Sequence, residues 1–219
     1  MLRFVTIEGG DGSGKSRQIE LLDEYLDARG EPRVLTREPG DTPLGKKLRR
    51  LLVEGRPESL SDETELFLIL ADRAQHVREV IRPALEQGKL VVSDRYADST
   101  LAYQGYGRGM DLELLRGLNR VATGGTMPEL TIVLDCPVEV ALARAADRGS
   151  RSTAPESRFE AEGAAFQRRV RDGFLELAAA EPSRCVVVQT DGSVMEVQEK
   201  MRRIIDERLH ADGERRDVR

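Results

Sequence analysis

An α/β fold built on a parallel sheet is what this sequence predicts, and three observations carry it. Five short, mostly apolar runs recur along the 219 residues, and segments with helical spacing of apolar residues separate them. Such alternation favours parallel strands joined by right-handed crossovers. Two of the runs, KLVVS and ELTIVLD, carry consecutive apolar residues, LVV and IVL, at their centres rather than alternating ones, as strands covered on both faces tend to. Finally, the first run passes into EGGDGSGKS, four glycines in nine residues, directly before a helical pattern.

Taken in order, Leu2 to Ile7 is the first strand, and Arg17 to Arg29 is a helix with Ile19, Leu22, Tyr25 and Leu26 on one face. Pro32 to Thr36 is the second strand, followed by the loop REPGDTP and a helix from about Leu44 to Val53. A long helix is expected from Asp62 to Glu86. Ser61 is placed to cap it, Glu63 and Glu65 stand in its first turns, and Leu66, Leu70, Ala74 and Val77 recur at helical intervals. Its apolar breadth, with Phe67, Leu68 and Leu70 to Ala74, exceeds what one sheet face requires and predicts a homodimer packed partly through it. Lys89 to Ser93 is the third strand, and Ser93 to Gly109 reads as a loop. Glu129 to Asp135 and Arg184 to Gln189 complete the sheet, and Val194 to Leu209 closes the chain as a helix. Between them, Arg144 to Arg171 is rich in arginine around GSRSTAP, a composition suited to a hinge-bounded lid at about 145–160. The expectation is one domain over residues 1–210 and a polar, frayed tail over 211–219.

Composition narrows the function classes. A third of the residues are charged, the net charge is −5 and the pI is near 5.3, which argues against nucleic-acid binding by bulk electrostatics. No apolar run approaches the roughly 20 residues that span a bilayer, and the first residues enter a strand with no signal-peptide pattern, so a cytoplasmic protein without a membrane anchor is expected. Cys136 and Cys185 lie in apolar runs and read as core thiols. His76 and His210 are too few and too far apart for a zinc site.

The chemistry begins at the glycines. Gly9, Gly10, Asp11, Gly12, Ser13, Gly14, Lys15 and Ser16 fit the phosphate-loop spacing of Gly, four residues, then Gly-Lys-Ser, in the strand–loop–helix setting that the motif requires. Backbone N–H groups and the positive helix end there converge on phosphate oxygens. Lys15 would reach the terminal phosphates and Ser16 would offer Mg²⁺ a hydroxyl. Asp94, at the end of a buried strand, sits where a Mg²⁺-linked carboxylate belongs; a partner for Arg95 or a cap for the following helix suits it too. Arg37 and Arg95, on neighbouring loops of one sheet edge, offer two planar forks for phosphate and point to a second phosphate-bearing ligand.

Together EGGDGSGKS, TREPG, ADRAQHV, DRYADSTLAYQGYGRG and PELTIVLD resemble the thymidylate kinase family, in the family's order, from about Arg3 to about Val188. The resemblance implies a P-loop nucleotide kinase fold with a five-stranded parallel sheet, flanking helices and an arginine-rich lid. It implies transfer of the terminal phosphoryl group of ATP to dTMP, with Mg²⁺, to give dTDP and ADP in dTTP synthesis by a homodimer. By position, Asp11 matches the carboxylate that contacts the sugar 3′-hydroxyl, and Arg37 and Arg95 match phosphate-binding arginines. Pro39 belongs to the same substrate-binding segment as Arg37. Arg73 matches the arginine facing thymine, Ser99 and Gln104 match contacts to the base, and Tyr103 matches the ring beneath the deoxyribose.

Two departures stand out. Ile69 occupies the position, four before Arg73, where many members stack a phenylalanine on thymine, and Arg17 follows Ser16 where a second hydroxyl is usual. The loop's inner positions, Gly10 to Ser13, hold no arginine, so the catalytic arginine is expected from the lid: Arg151 or Arg148, then Arg158. Two other readings fit the phosphate loop: a kinase for a different nucleoside monophosphate or a deoxynucleoside, and a nucleotide-dependent switch.

Overall fold

In a computed structural model of the chain, residues 3–53, 60–151, 159 and 162–211 are described, those at 145–151, 210 and 211 by their backbone alone. The strands are β1 (Phe4–Glu8), β2 (Arg33–Arg37), β3 (Leu90–Asp94), β4 (Leu130–Asp135) and β5 (Cys185–Gln189). They form one sheet in the order β2-β3-β1-β4-β5, with every neighbouring pair parallel. The helices are α1 (Lys15–Ala28), α2 (Pro43–Val53), α3 (Asp62–His76), α4 (Arg82–Glu86), α5 (Ala97–Thr100), α6 (Leu112–Thr123), α7 (Val138–Arg151), α8 (Ala164–Ala180) and α9 (Val194–Ala211).

Alternation along the inner strands divides the core in two, because successive side chains point to opposite faces. Val5 and Ile7 of β1, Val92 of β3, and Ile132 and Leu134 of β4 pack with Leu22 and Leu26 of α1 and with Val197, Met201 and Ile205 of α9. Their alternates, Phe4, Val91 and Val133, face the layer made by α3, α5, α8 and their neighbours. With both faces covered, β1 and β4 are buried at every position, whereas the edge strands β2 and β5 are only partly so. That is why the central runs read as almost uninterrupted apolar sequence.

The long helix spans the expected residues, capped by Ser61 Oγ, which accepts from Thr64 N at 3.2 Å. It widens into a π-helical turn over Val77–Ile81 before α4. Pro83 has no N–H to give the preceding turn and its ring crowds that turn, which favours a widened helix there. β1, β2 and β3 each end one residue later than the sequence reading placed them, which puts Glu8, Arg37 and Asp94 on the strand tips.

Two expectations need correction. Ser93 to Gly109 is no loop: α5 runs into a π-helical stretch, Leu101–Gly107, most of which is buried against α6 and α8. Its glycines serve close packing. A Cβ on Gly105 would stand 2.4 Å from Leu112 Cδ2, and one on Gly107 would stand 2.7 Å from Phe166. The sequence reading also placed no helix at α6, although both its signals are present: Asp111 accepts from Leu114 N at 2.7 Å, and Gly124 ends the helix at φ 57°. No described helix is long and apolar enough to cross a membrane.

Candidate active site

The strand order makes β1 the point where connections diverge, outward to β2 on one side and then to β4 on the other, and ligands gather at the carboxyl ends beside such a point. There the chain turns from β1 into α1 through Gly9 to Gly14. Bare backbone is a steric necessity: a Cβ on Gly9 would lie 2.5 Å from Leu134 O, and one on Gly12 would lie 2.2 Å from Ala141 O. Lys15 folds back over the loop, its Nζ donating to Gly9 O at 3.0 Å and Gly10 O at 2.9 Å. Burial first, and the nearby Arg95 charge second, push the Lys15 ammonium down to about 8. Ser16 is exposed on the first turn of α1, and Arg17 pairs with Glu20 on the surface.

Arg95 is the hub of the phosphate side. Its φ is positive, 68°, which a side chain rarely adopts and which no other non-glycine residue shows among the described residues, and the surrounding bonds hold it there. Nη2 donates to Asp11 Oδ1 at 2.5 Å and Tyr103 Oη at 3.0 Å, and Nη1 to Gly9 O at 3.0 Å and Ser99 Oγ at 3.2 Å. The guanidinium lies 4.9 Å over the Tyr103 ring, which meets Phe159 edge-on at 5.4 Å. Burial works to raise the Asp11 carboxyl, but the Arg95 and Lys15 charges outweigh it and hold the group below the usual carboxylate range. Beneath this cluster, Glu8 takes Tyr96 N at 2.7 Å and Ser99 Oγ at 2.6 Å. Burial, with Asp98 nearby, raises the Glu8 carboxyl to about 8. Asp94 closes β3 with Oδ1 buried and unpartnered among the described residues.

Beside Arg95, Arg37 stands exposed at the tip of β2, and Arg49 of α2 approaches it while donating Nη1 to Pro39 O at 2.9 Å. Burial and then the Arg37 charge hold the Arg49 guanidinium below its ordinary value. Two crowded cations call for an anion. Arg49 was missed by the sequence reading, since Lys46, Lys47, Arg49 and Arg50 are equal candidates until the helix is docked.

Towards α3, Ile69 is half-buried and Arg73 is 1 % exposed. Arg73 donates Nε to Glu38 Oε2 at 2.8 Å, Nη1 to Thr100 Oγ1 and Asn119 Oδ1 at 2.7 and 2.6 Å, and Nη2 to Tyr96 O at 2.8 Å. Four of its five N–H groups are thus spent on the protein, and one Nη2 hydrogen remains. Glu38 also meets His76 Nδ1 at 2.9 Å, and His76 Nε2 lies 2.6 Å from Thr36 Oγ1. This second hub, also missed from sequence, joins the turn after β2 to α3, α5 and α6. Gln104 is buried, with Nε2 on Glu65. Arg148 and Arg151 are on α7, but their side chains, and all of Arg158, lie outside the described residues.

The structure therefore brings Asp11, Lys15, Arg37, Arg49, Asp94, Arg95, Ser99 and Tyr103 to one edge of the sheet. Known proteins share the fold and much of the sequence. A crystal structure of thymidylate kinase from Ehrlichia chaffeensis superposes with a TM-score of 0.74 at 35% identity, over 93% of this chain and 98% of that one. Curated thymidylate kinases from Desulfovibrio desulfuricans (strain ATCC 27774 / DSM 6949 / MB) and Synechococcus sp. (strain JA-2-3B'a(2-13)) are 50% and 52% identical. The first match covers 96% of this chain and 98% of the relative, the second 94% and 95%. The sequence profile described as thymidylate kinase matches residues 7–201, and the chain belongs to that family.

Proposed function

We propose that this chain is a thymidylate kinase that moves the terminal phosphoryl group of ATP onto dTMP. One observation carries the reading: two cation-rich sites adjoin at the carboxyl edge, the phosphate loop with Lys15 and the Arg37, Arg49 and Arg95 group beside it. A single nucleotide would need only the first.

In this reading the loop backbone and Lys15 hold the donor phosphates, and the three arginines hold the acceptor phosphate in line with them, so that transfer becomes largely a matter of position and charge. Asp11, kept ionised beside Arg95, accepts from the sugar 3′-hydroxyl. Ser99, Gln104, Ile69, Arg73, Tyr103 and Pro39 form the nucleoside side. Ser16 and Asp94 offer the hard oxygen donors that suit Mg²⁺, and Asp94 Oδ1, unpartnered among the described residues, fits such a role. When bound, the ion neutralises charge on the phosphate oxygens. A lid at about 145–160, in a single domain, supplies Arg151 or Arg148 to the transferring group.

The protein would work in the cytoplasm as a homodimer. Exposed apolar side chains on adjoining helices support the dimer: Leu51 of α2 at 55%, Phe67 of α3 at 60%, and Leu114 and Val121 of α6 at 56% and 81%. The deciding experiment measures ADP production with and without dTMP, alongside a solution mass. A strong dependence on dTMP is expected; a steady ATPase rate indifferent to it would favour a nucleotide-dependent switch instead.

A further inference from the structure

The two ends of the Gln104 amide differ in hydrogen-bonding sense, and its surroundings decide which end is used where. Nε2 donates to Glu65 Oε1 at 2.7 Å. Glu65 is fully buried and takes a fork from Arg108, Nε to Oε1 at 3.0 Å and Nη2 to Oε2 at 2.8 Å. A carboxylate in such a fork pairs as an ion and only accepts. The amide is thereby locked, with nitrogen on Glu65 and oxygen turned away. That oxygen, Gln104 Oε1, is buried without a hydrogen-bond partner among the described residues, whereas buried polar atoms nearly always have one. An oriented acceptor left in this state is suited to a ligand N–H.

The lock lies on the face of α3 that matters. Glu65, Ile69 and Arg73 follow one another at four-residue intervals, so Gln104 meets the helix one turn before Ile69. The edge of thymine presents an imide N–H between two carbonyls. Cytosine has at that place a bare ring nitrogen, an acceptor, beside an amino group. We propose that the Glu65–Arg108 pair sets base specificity by holding the Gln104 amide so that its oxygen accepts the imide N–H of thymine and refuses the ring nitrogen of cytosine. Arg108 is itself braced, by Glu162 at 2.6 Å, Asp62 at 3.2 Å and the Phe166 ring at 5.2 Å. Glu65 is thus a positioning residue that acts through Gln104. The inference rests on the reading that dTMP is the acceptor.

The test is Glu65→Gln in the full chain. A glutamine in that position can donate as well as accept, so the Gln104 amide is free to turn over, while Arg108 keeps Glu162 and Asp62 as partners. The ratio of kcat/KM for dTMP to that for dCMP should fall by about tenfold or more, with the KM for ATP unchanged. In the Gln104→Leu background the same change should leave the ratio where it is. An unaltered ratio in folded Glu65→Gln, or an equal fall in both backgrounds, overturns the proposal. Should the variant not fold, wild-type protein titrated with N3-methyl-dTMP, which lacks the imide hydrogen, still decides: binding should weaken at least about tenfold, and undiminished binding overturns it. Wild-type protein that phosphorylates dTMP while failing these tests leaves the functional reading standing; wild-type protein inert towards dTMP removes both.

Discussion

Two clusters of buried charge lie at different levels of the same sheet and are built in opposite ways. Towards the amino ends of β4 and β5, Arg184 grips Asp98 with both Nη atoms at 2.8 Å, and Thr131 Oγ1 joins both at 2.8 and 3.0 Å. Arg184 Nε adds Glu181 at 2.7 Å. Burial works to lower the Arg184 guanidinium, but the bonds to Asp98 and Glu181 outweigh it and raise the group. At the carboxyl edge the pairing is uneven: Arg95 is matched by Asp11 at 2.5 Å, but its neighbours are not. Lys15 meets carbonyls and is held near 8, Arg95 occupies a strained backbone, and Asp94 Oδ1 has no partner among the described residues. The contrast teaches that buried charge alone does not mark a functional site. Unfinished pairing at the carboxyl edge of the sheet is the better mark, because groups that await a ligand cannot all be satisfied without it; unpartnered oxygens alone do not suffice, since Asp206 of α9 also has one among the described residues.

The sharpest way to break this comparison is to remove one ion from each cluster. Lys15→Ala should lower turnover on the order of a thousandfold or more while leaving the melting temperature unchanged or higher, since it deletes a charge that burial disfavours. Steady-state kinetics and thermal unfolding check both halves. Arg184→Ala should do the reverse, costing about 3–5 kcal/mol of stability by abandoning the buried Asp98 charge, with KM for both nucleotides unchanged. Equal stability losses in the two variants would erase the distinction.

A finer test uses pH. The Glu8 carboxyl is raised from 4.5 to about 8, so the folded protein binds that proton more tightly than the unfolded chain. Its contribution is fully present below 4.5 and is lost as pH rises through about 8, with a slope of at most about 1.4 kcal/mol per pH unit. Urea unfolding of Glu8→Gln between pH 5 and pH 8 should lack this falling limb. Lys15 works in a separate window: its folded value of about 8 against 10.5 makes stability rise between those pH values. The smallest expected effect is on the nucleoside side. Ile69→Phe should tighten dTMP binding several-fold through ring stacking worth about 0.5–1.5 kcal/mol, with turnover little changed. Calorimetric titration together with a melting curve separates this from overpacking, which would instead lower stability.

The sequence by itself determined the strands, the phosphate loop and the helices α1, α2, α3 and α9, because each depends on neighbours within a few residues, whereas α5 to α8 were not placed. Val5 and Ile7 alternate with Phe4 whatever lies elsewhere, Ser61 caps a helix through Thr64, and the spacing of Gly9 to Ser16 announces its turn, although Leu134 and Ala141 are what leave no room for a Cβ there. The resemblance to one family gathered Asp11, Arg37, Arg95 and Tyr103 into one expected site. Tertiary structure alone decided the rest. Ala97 to Gly107 is helical, with Phe166 and Leu112 closing on its glycines, and Arg49 was singled out from its basic neighbours by where α2 docks. Arg73 meets Glu38 and Asn119 across 35 and 46 residues, and Gln104 meets Glu65 across 39. Those pairings have no local signature: a buried polar group must find a partner, and only the packed fold settles which one is within reach.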